Sequence, residues 1–150
     1  MKKFLAILAA ILILIQFIPA SLPGTTSNNP DDILKTTDVP ADVSNILKAS
    51  CYDCHSNETV YPWYSYVAPV SFLVSRDTRE GRKKLNFSEW NKLSKVKKAK
   101  FLDEISDEIN EGEMPMKIYT VIHRGASLSD KDKETLLTWT DSYAESLFGD

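Results

Sequence analysis

An apolar run opens the chain and differs from everything that follows it. Lys2 and Lys3 come before residues 4–18, which are apolar except for Gln16. Basic residues ahead of an apolar run of this length are typical of an export signal, whereas a full bilayer span needs about 20 residues. Residues 1–20 are therefore predicted to be a signal peptide or an N-terminal membrane anchor. The positive charges at its start favour a location outside the cytoplasm for the remaining chain.

The next segment, residues 21–39, is rich in Ser, Thr, Asn, Pro and Asp. This composition favours a flexible linker with little regular structure. The folded domain is predicted over residues 40–150, in the periplasm or on the outer face of the cytoplasmic membrane. If residues 4–18 are retained, they anchor this domain to the membrane.

Helical spacing of apolar residues dominates the chain from residue 40 onward. Four amphipathic helices are predicted by this spacing, over residues 41–49, 69–85, 95–111 and 130–147. Ser94 and Ser129 can accept hydrogen bonds at the start of the last two helices, and Gly112 can end the third helix. Because no run alternates apolar and polar residues as a strand does, the domain is expected to be mainly α.

Composition restricts the chemistry to a few residues. The 150 residues suffice for one domain, the net charge is −3, and there are only two Cys and two His. This acidic balance argues against a nucleic-acid partner, and two cysteines exclude a multi-disulfide scaffold and a four-cysteine zinc site. Basic residues concentrate over residues 76–100. They form either a solvated helix face or a docking patch for an acidic partner or lipid head groups.

Both cysteines and one histidine fall in the sequence CYDCH at residues 51–55, called here the CYDCH motif. It has the C-x-x-C-H spacing of c-type haem attachment. Two thiols three positions apart can add to the two vinyl groups of one haem, and the next imidazole then reaches the iron. Cys51 and Cys54 are therefore predicted to form thioethers to one covalent haem c, with His55 as the proximal iron ligand. The other ring nitrogen of His55 needs an acceptor, for which carbonyls near Pro62 or Pro69 are candidates.

Three other interpretations of this motif stay open. A disulfide between Cys51 and Cys54 would close a very small loop and stabilise the protein little. A redox-active dithiol needs a strand before the motif, which the sequence lacks. A zinc site would need His123 in addition to the three motif residues. The export signal favours the haem interpretation, because c-type haem is attached outside the cytoplasm.

The sixth iron position has three candidate ligands. Met114 lies past the end of the third predicted helix, and Pro115 stiffens the loop that presents its sulfur. A thioether ligand raises the potential of haem iron. Met114 is predicted to be the distal ligand, with Met116 and His123 as the alternatives.

An aromatic cluster directly follows the CYDCH motif. Tyr61, Trp63 and Tyr64 are candidates for lining the haem pocket, where they would exclude water, and ordinary core packing is the alternative. Trp90 and Trp139, which lie farther along the chain, are expected in the core.

Four blocks of the sequence resemble the bacterial haem-binding domain family related to cytochrome c. They are CYDCHSNETVYPWYSYVAPVSFLV, EGRKKLNFSEW, GEMP and LSDKDKETLLTW, and together they cover most of residues 40–140. The resemblance implies a small helical, cytochrome-c-like domain wrapped around one covalent haem and exported or membrane-tethered. It also implies attachment at Cys51 and Cys54, proximal ligation by His55, and Met114 at the distal position.

These features favour a monohaem electron-transfer protein over an enzyme, acting with an unidentified redox partner protein. A haem enzyme of the peroxidase type and a haem-based ligand-sensing module are the alternatives. Both need an open sixth iron site. The peroxidase also needs a distal acid–base group, for which His123 is the one remaining imidazole in the sequence.

Overall fold

Helices form all the regular structure in the part of the chain that the structure describes. The computed structural model describes residues 1–149, and no strand occurs among them. The α-helices are α1 (Lys2–Leu14), α2 (Ile33–Thr36), α3 (Ala41–Ser50), α4 (Tyr52–His55), α5 (Val70–Lys84), α6 (Lys95–Glu111), α7 (Lys117–Ile122) and α8 (Asp130–Ser146). Short 3-10 helices lie at Ile15–Phe17, Trp63–Tyr66, Phe87–Lys92 and Arg124–Ala126. The prediction of a mainly α domain is confirmed.

Side-chain caps define the two longest helices. At the start of α6, the Ser94 hydroxyl accepts a hydrogen bond from the Lys97 N–H, and at the end Gly112 has a φ of 71°. Glycine adopts this left-handed conformation without strain. At the start of α8, Ser129 and Asp132 form a capping box. Helix α6 has the predicted bounds, and those of α3, α5 and α8 differ from the predictions by at most one residue at each end.

One hydrophobic core joins the helices of the domain. Its fully buried side chains come from α2, α3, α6, α8 and the Phe87–Lys92 helix and include Ile33, Leu47, Leu102, Leu136, Phe87 and Trp90. Burial of each such side chain contributes about 1.5–3 kcal/mol to folding. Trp90 is 0% and Trp139 is 8% exposed, so the prediction that both lie in the core is confirmed.

Helix α4, which carries most of the CYDCH motif, is fixed between α5 and the core. A Cβ atom added to Gly81 of α5 would lie 2.7 Å from the carbonyl oxygen of Cys54, which is too close for any side chain. Glycine is therefore required for this approach of the two backbones. On the core side, the Tyr52 ring stacks on the Phe87 ring with 5.5 Å between centroids.

Residues 21–39, whose composition predicted a flexible linker, pack against the domain in the structure. Ile33 is 0% and Asp32 is 2% exposed. The Asp32 carboxylate accepts hydrogen bonds from the Tyr52 hydroxyl at 2.7 Å and the Ser88 hydroxyl at 3.1 Å, and it caps α2 at the Leu34 N–H. A buried carboxylate needs such partners to offset its lost hydration. The polar composition of this segment thus serves internal hydrogen bonding.

Helix α5 holds the beginning of the same segment. The Ser75 hydroxyl and the Arg79 guanidinium both donate to the Ser21 carbonyl at 2.6 Å. Arg82 donates to the Gly24 carbonyl at 2.7 Å. Two of the basic residues considered for a docking patch therefore have donors engaged within the chain.

Helix α1 lies outside the core. All of its side chains are exposed. Just beyond its end, the side-chain amide of Gln16 exchanges two hydrogen bonds of 3.0 Å each with the backbone of Ala68, which connects α1 to the start of α5. Within residues 1–149, no helix has both the length and the apolar composition required to cross a membrane.

We expect Gly81→Ala to destabilise the protein by about 1–3 kcal/mol, because the added methyl group forces α5 away from α4. The same change at an unconstrained site would stabilise the protein by about 0.4–1 kcal/mol. Urea unfolding followed by circular dichroism measures the difference. Gly125→Ala is the control, since no atom lies within 4 Å of its Cβ position. Equal unfolding midpoints for the two variants would contradict a constraint at Gly81.

Candidate cofactor site

A cavity of about 610 Å³ lies beside the CYDCH motif and is called here the first cavity. Pockets that hold small molecules and cofactors are typically about 300–1,000 Å³ and are lined mainly by apolar side chains. The residues that line the first cavity include Leu47, Cys51, His55, Phe87, Met114 and Leu136. It therefore brings together an imidazole, a thiol and a thioether among apolar core residues.

The orientation of His55 is set by a backbone carbonyl of the segment that follows α5. Its Nδ1 donates a hydrogen bond to the Leu85 carbonyl oxygen at 3.1 Å. A carbonyl only accepts, so Nδ1 carries the proton and Nε2 keeps its lone pair. Burial lowers the pKa of His55, which favours the neutral, ligating form. The acceptor is thus Leu85, and the expectation of a carbonyl near Pro62 or Pro69 is wrong, because the end of α5 lies closer to the ring.

The two cysteines face different sides of α4. Cys51 lines the first cavity, whereas Cys54 lines a separate cavity described below. Both thiols are free. Burial and the nearby Cys54 raise the pKa of Cys51 to about 12, and burial and the Asp53 charge raise the pKa of Cys54 to about 11. Both groups are therefore neutral thiols at physiological pH.

Met114 reaches the first cavity because of the way α6 ends. After the left-handed Gly112, the N–H groups of Glu113 and Met114 both donate to the Glu108 carbonyl, at 3.0 and 3.2 Å. These bonds fix the loop, and Met114 and Pro115 line the first cavity together with Cys51 and His55. Met116, two residues later, lines the other cavity.

Charged side chains also line the first cavity. Two of the lining residues are basic, Lys84 and Lys100, and four are acidic, Glu104, Asp107, Glu108 and Glu111. Lys100 forms a salt bridge of 2.9 Å with Glu104. The cavity thus combines an apolar interior with both positive and negative groups.

The second cavity, of about 170 Å³, borders the other side of α4. The Tyr64 hydroxyl hydrogen-bonds Nε2 of His123 there, and the Tyr119 ring stacks on the His123 ring with 4.3 Å between centroids. The Tyr119 hydroxyl donates to Asp53 at 2.7 Å, and burial and this bond raise its pKa. His123 is therefore held in a polar and aromatic cluster outside the first cavity.

The aromatic residues proposed to line the haem pocket do not border the first cavity. Tyr61 and Tyr64 line the second cavity, and Trp63 is 77% exposed. The Tyr61 hydroxyl donates to the Pro23 carbonyl at 2.9 Å. The aromatic rings nearest His55 are instead core residues, with Phe87 at 6.3 Å between ring centroids.

Sequence analysis missed Leu85, Phe87 and the two lysines of the first cavity. Leu85 acts through its backbone carbonyl, which side-chain identity does not reveal. Phe87 follows α5 in a short 3-10 helix, and only its position behind His55 distinguishes it from any other core residue. The lysines belong to a run of basic residues in which no single member stands out.

We expect the thiols of the cofactor-free folded protein to react slowly with iodoacetamide at pH 8. Thiolate is the reactive form. A pKa of about 11 at Cys54, against the usual 9.0, lowers the thiolate fraction about 100-fold, and Cys51 should be slower still. Mass spectrometry of the alkylated protein measures the rates, and the same protein unfolded in urea is the control. Between pH 9 and 11 the native rate should keep rising while the unfolded rate levels off. Equal rates would contradict the raised pKa values.

Comparison with known proteins identifies the family of the chain. The model of the haem-binding domain family matches residues 10–142. No curated protein and no solved structure matches the chain. The matched range includes the CYDCH motif, both cavities and most of residues 1–39. The chain therefore belongs to the haem-binding domain family.

Proposed function

We propose that the protein binds one haem c covalently in the first cavity and transfers electrons outside the cytoplasm. Cys51 and Cys54 form the thioethers, and His55 and Met114 are the two iron ligands. The observation that carries this proposal is that one cavity is lined by Met114, Cys51 and an imidazole whose Nδ1 is held by Leu85. When bound, haem supplies a one-electron redox couple.

The residues around this cavity suit a haem chemically. A neutral His55 with Nδ1 bonded to a carbonyl presents Nε2 as a ligand of fixed orientation. Leu47, Phe87 and Leu136 exclude water from its surroundings. Lys84 offers a charge-assisted hydrogen bond to one of the two carboxylates that a haem carries, and Lys100 offers another if it leaves its salt bridge with Glu104. The cavity thus offers apolar contacts to the ring of a haem and positive charge to its carboxylates.

Cys54 must change its orientation in this proposal. Its side chain lines the second cavity, while Cys51 lines the first. Attachment at both cysteines therefore requires the Cys54 side chain to turn across α4 toward the macrocycle.

The three candidates for the distal iron ligand line different cavities, and this supports Met114 as that ligand. Met116 and His123, the alternatives for the distal position, line the second cavity, and His123 is engaged by Tyr64. His123, the imidazole considered for the acid–base role of a peroxidase, does not line the first cavity. Electron transfer needs two iron ligands and no open sixth site, and the first cavity offers His55 and Met114 as those ligands.

The location outside the cytoplasm rests on the first 20 residues. Their two lysines and apolar run favour export or membrane anchoring, which is also where c-type haem is attached. A redox partner protein on that side of the membrane would exchange the electron. Its identity is open to experiment.

We expect the pigment of the purified protein to stay with the polypeptide after denaturation and extraction with acid acetone, because thioethers survive both treatments. Intact mass should show one haem per chain. Cys51→Ala and Cys54→Ala should each keep one thioether and shift the absorption of the pyridine complex of the reduced haem, since each leaves one vinyl group unsaturated.

The double variant Cys51→Ala/Cys54→Ala should release all pigment into acid acetone. Extraction of the pigment from the unaltered protein would contradict covalent attachment. A pyridine-complex spectrum unchanged by Cys54→Ala would show that Cys54 keeps its place in the second cavity and that the haem has a single thioether.

Met114→Ala should abolish the near-infrared charge-transfer band of methionine-ligated ferric haem and lower the reduction potential, because the sulfur ligand is lost. Met116→Ala is the matched control and should leave both unchanged. Absorption spectroscopy and redox titration measure the two effects. Loss of the band in Met116→Ala alone would reassign the ligand, and high-spin iron in the unaltered protein would favour the enzyme or sensor alternative.

A further inference from the structure

An exposed apolar surface lies on the side of the second cavity. It comprises Val60, Trp63, Tyr66, Val67, Ile118 and Val121, all of them exposed, and is called here the apolar face. Val60 and Ile118 both border the second cavity, which joins the two parts of the face. Trp63, Tyr66 and Val67 lie in or beside the Trp63–Tyr66 helix, and Val121 follows Ile118 by one turn of α7.

Helix α1 meets the domain at the edge of this face. The two hydrogen bonds of Gln16 are made to the backbone of Ala68, the residue after Val67. The apolar side chains of α1 are themselves exposed. The side chains of α1 and of the apolar face are thus both uncovered, and the Gln16 hydrogen bonds join α1 to the residue that follows the face.

The composition of the apolar face matches a lipid interface. Trp and Tyr are the side chains enriched at the level of membrane head groups, where the ring is apolar and its edge is polar. Lys117, the first residue of α7, and Arg124, the first residue of the Arg124–Ala126 helix, are exposed close in sequence to Ile118 and Val121. Basic residues near a membrane surface are attracted to anionic lipid head groups.

We propose that the apolar face docks onto the outer head-group surface of the bilayer that α1 enters. The inference rests on the proposed membrane location of α1 and goes beyond it, because it fixes which side of the domain faces the lipid. Asp53 and Cys54 border the second cavity on this side of α4, whereas Cys51 and His55 border the first cavity. The first cavity is therefore directed away from the membrane contact.

Trp63 allows a direct test in the full-length holoprotein. It is 77% exposed, whereas Trp90 and Trp139, the other two tryptophans, are 0% and 8% exposed. Fluorotryptophan labelling gives three fluorine resonances, and Trp63→Phe identifies one of them. The protein is reconstituted in nanodiscs of phosphatidylcholine and phosphatidylglycerol, with and without a lipid that carries a nitroxide on its head group. Flotation of the same samples with lipid reports insertion of α1.

We expect the nitroxide lipid to broaden the Trp63 resonance and leave those of Trp90 and Trp139 nearly unchanged. Val121→Glu should shift the docking equilibrium about fivefold toward the undocked domain, as one charge at an anionic membrane surface is worth about 1 kcal/mol. Val96→Glu is the matched control. Val96 is 69% and Val121 is 74% exposed, and Val96 lies on α6, outside the apolar face.

Flotation without broadening at Trp63 would overturn the docking inference while leaving the membrane location of α1 intact. Failure to float would overturn that location and the docking with it. Protection of Trp63 that depends on protein concentration and not on the nitroxide lipid would assign the apolar face to a second copy of the chain, which also overturns the proposal. The haem experiments above are independent of all these outcomes.

Discussion

The candidate site depends on the close approach of α4 and α5 at Gly81. The absence of a side chain there lets the α5 backbone lie against the Cys54 carbonyl. One turn later, the Leu85 N–H donates to the Gly81 carbonyl at 2.9 Å, and the Leu85 carbonyl accepts the hydrogen bond from His55. The end of α5 thus determines both where the CYDCH motif lies and how its imidazole is oriented. A side chain at Gly81 would move the Leu85 acceptor away from the ring.

The carboxylate of Asp32 is the second group that fixes the position of α4. Its carboxylate bonds Tyr52, Ser88 and the N-terminus of α2. Tyr52 is the first residue of α4, so the same group that orders residues 21–39 also anchors the helix of the candidate site. Burial and the hydrogen bond to Asp32 raise the pKa of Tyr52, so its hydroxyl keeps its proton and remains a donor. Hydrogen bonds through Asp32 therefore link residues 21–39 to the helix of the candidate site.

Local signals in the sequence were sufficient for the four long helices of the domain, α3, α5, α6 and α8, but not for the shorter helices α2, α4 and α7. The caps at Ser94 and Ser129 and the stop at Gly112 depend on neighbouring residues, so they can be read without the tertiary fold. Hydrogen bonds between residues that are distant in the chain could not be predicted from such local signals. The order of residues 21–39 comes from bonds to side chains that are distant in the chain, and polar composition alone resembles that of a linker.

The same limit applies within the candidate site. The sequence favours Met114 over Met116 as the distal ligand, but it does not reveal that the two residues line different cavities. The residues Tyr61, Trp63 and Tyr64 follow the CYDCH motif closely, but the chain turns away from His55 after α4. Proximity in sequence was therefore a poor guide to which rings surround the imidazole, and Phe87 provides the contact instead.

The attachment of Ser21 and Gly24 to α5 has a mechanical consequence. A domain on a long unstructured tether explores many orientations and reaches partners over a wide radius. Here the chain is fastened at Gln16 and again at Ser21, so only residues 17–20 lie between the two attachment points. Rotational freedom and reach are correspondingly small. A large swing of the domain relative to α1 would first have to break the hydrogen bonds at these two points.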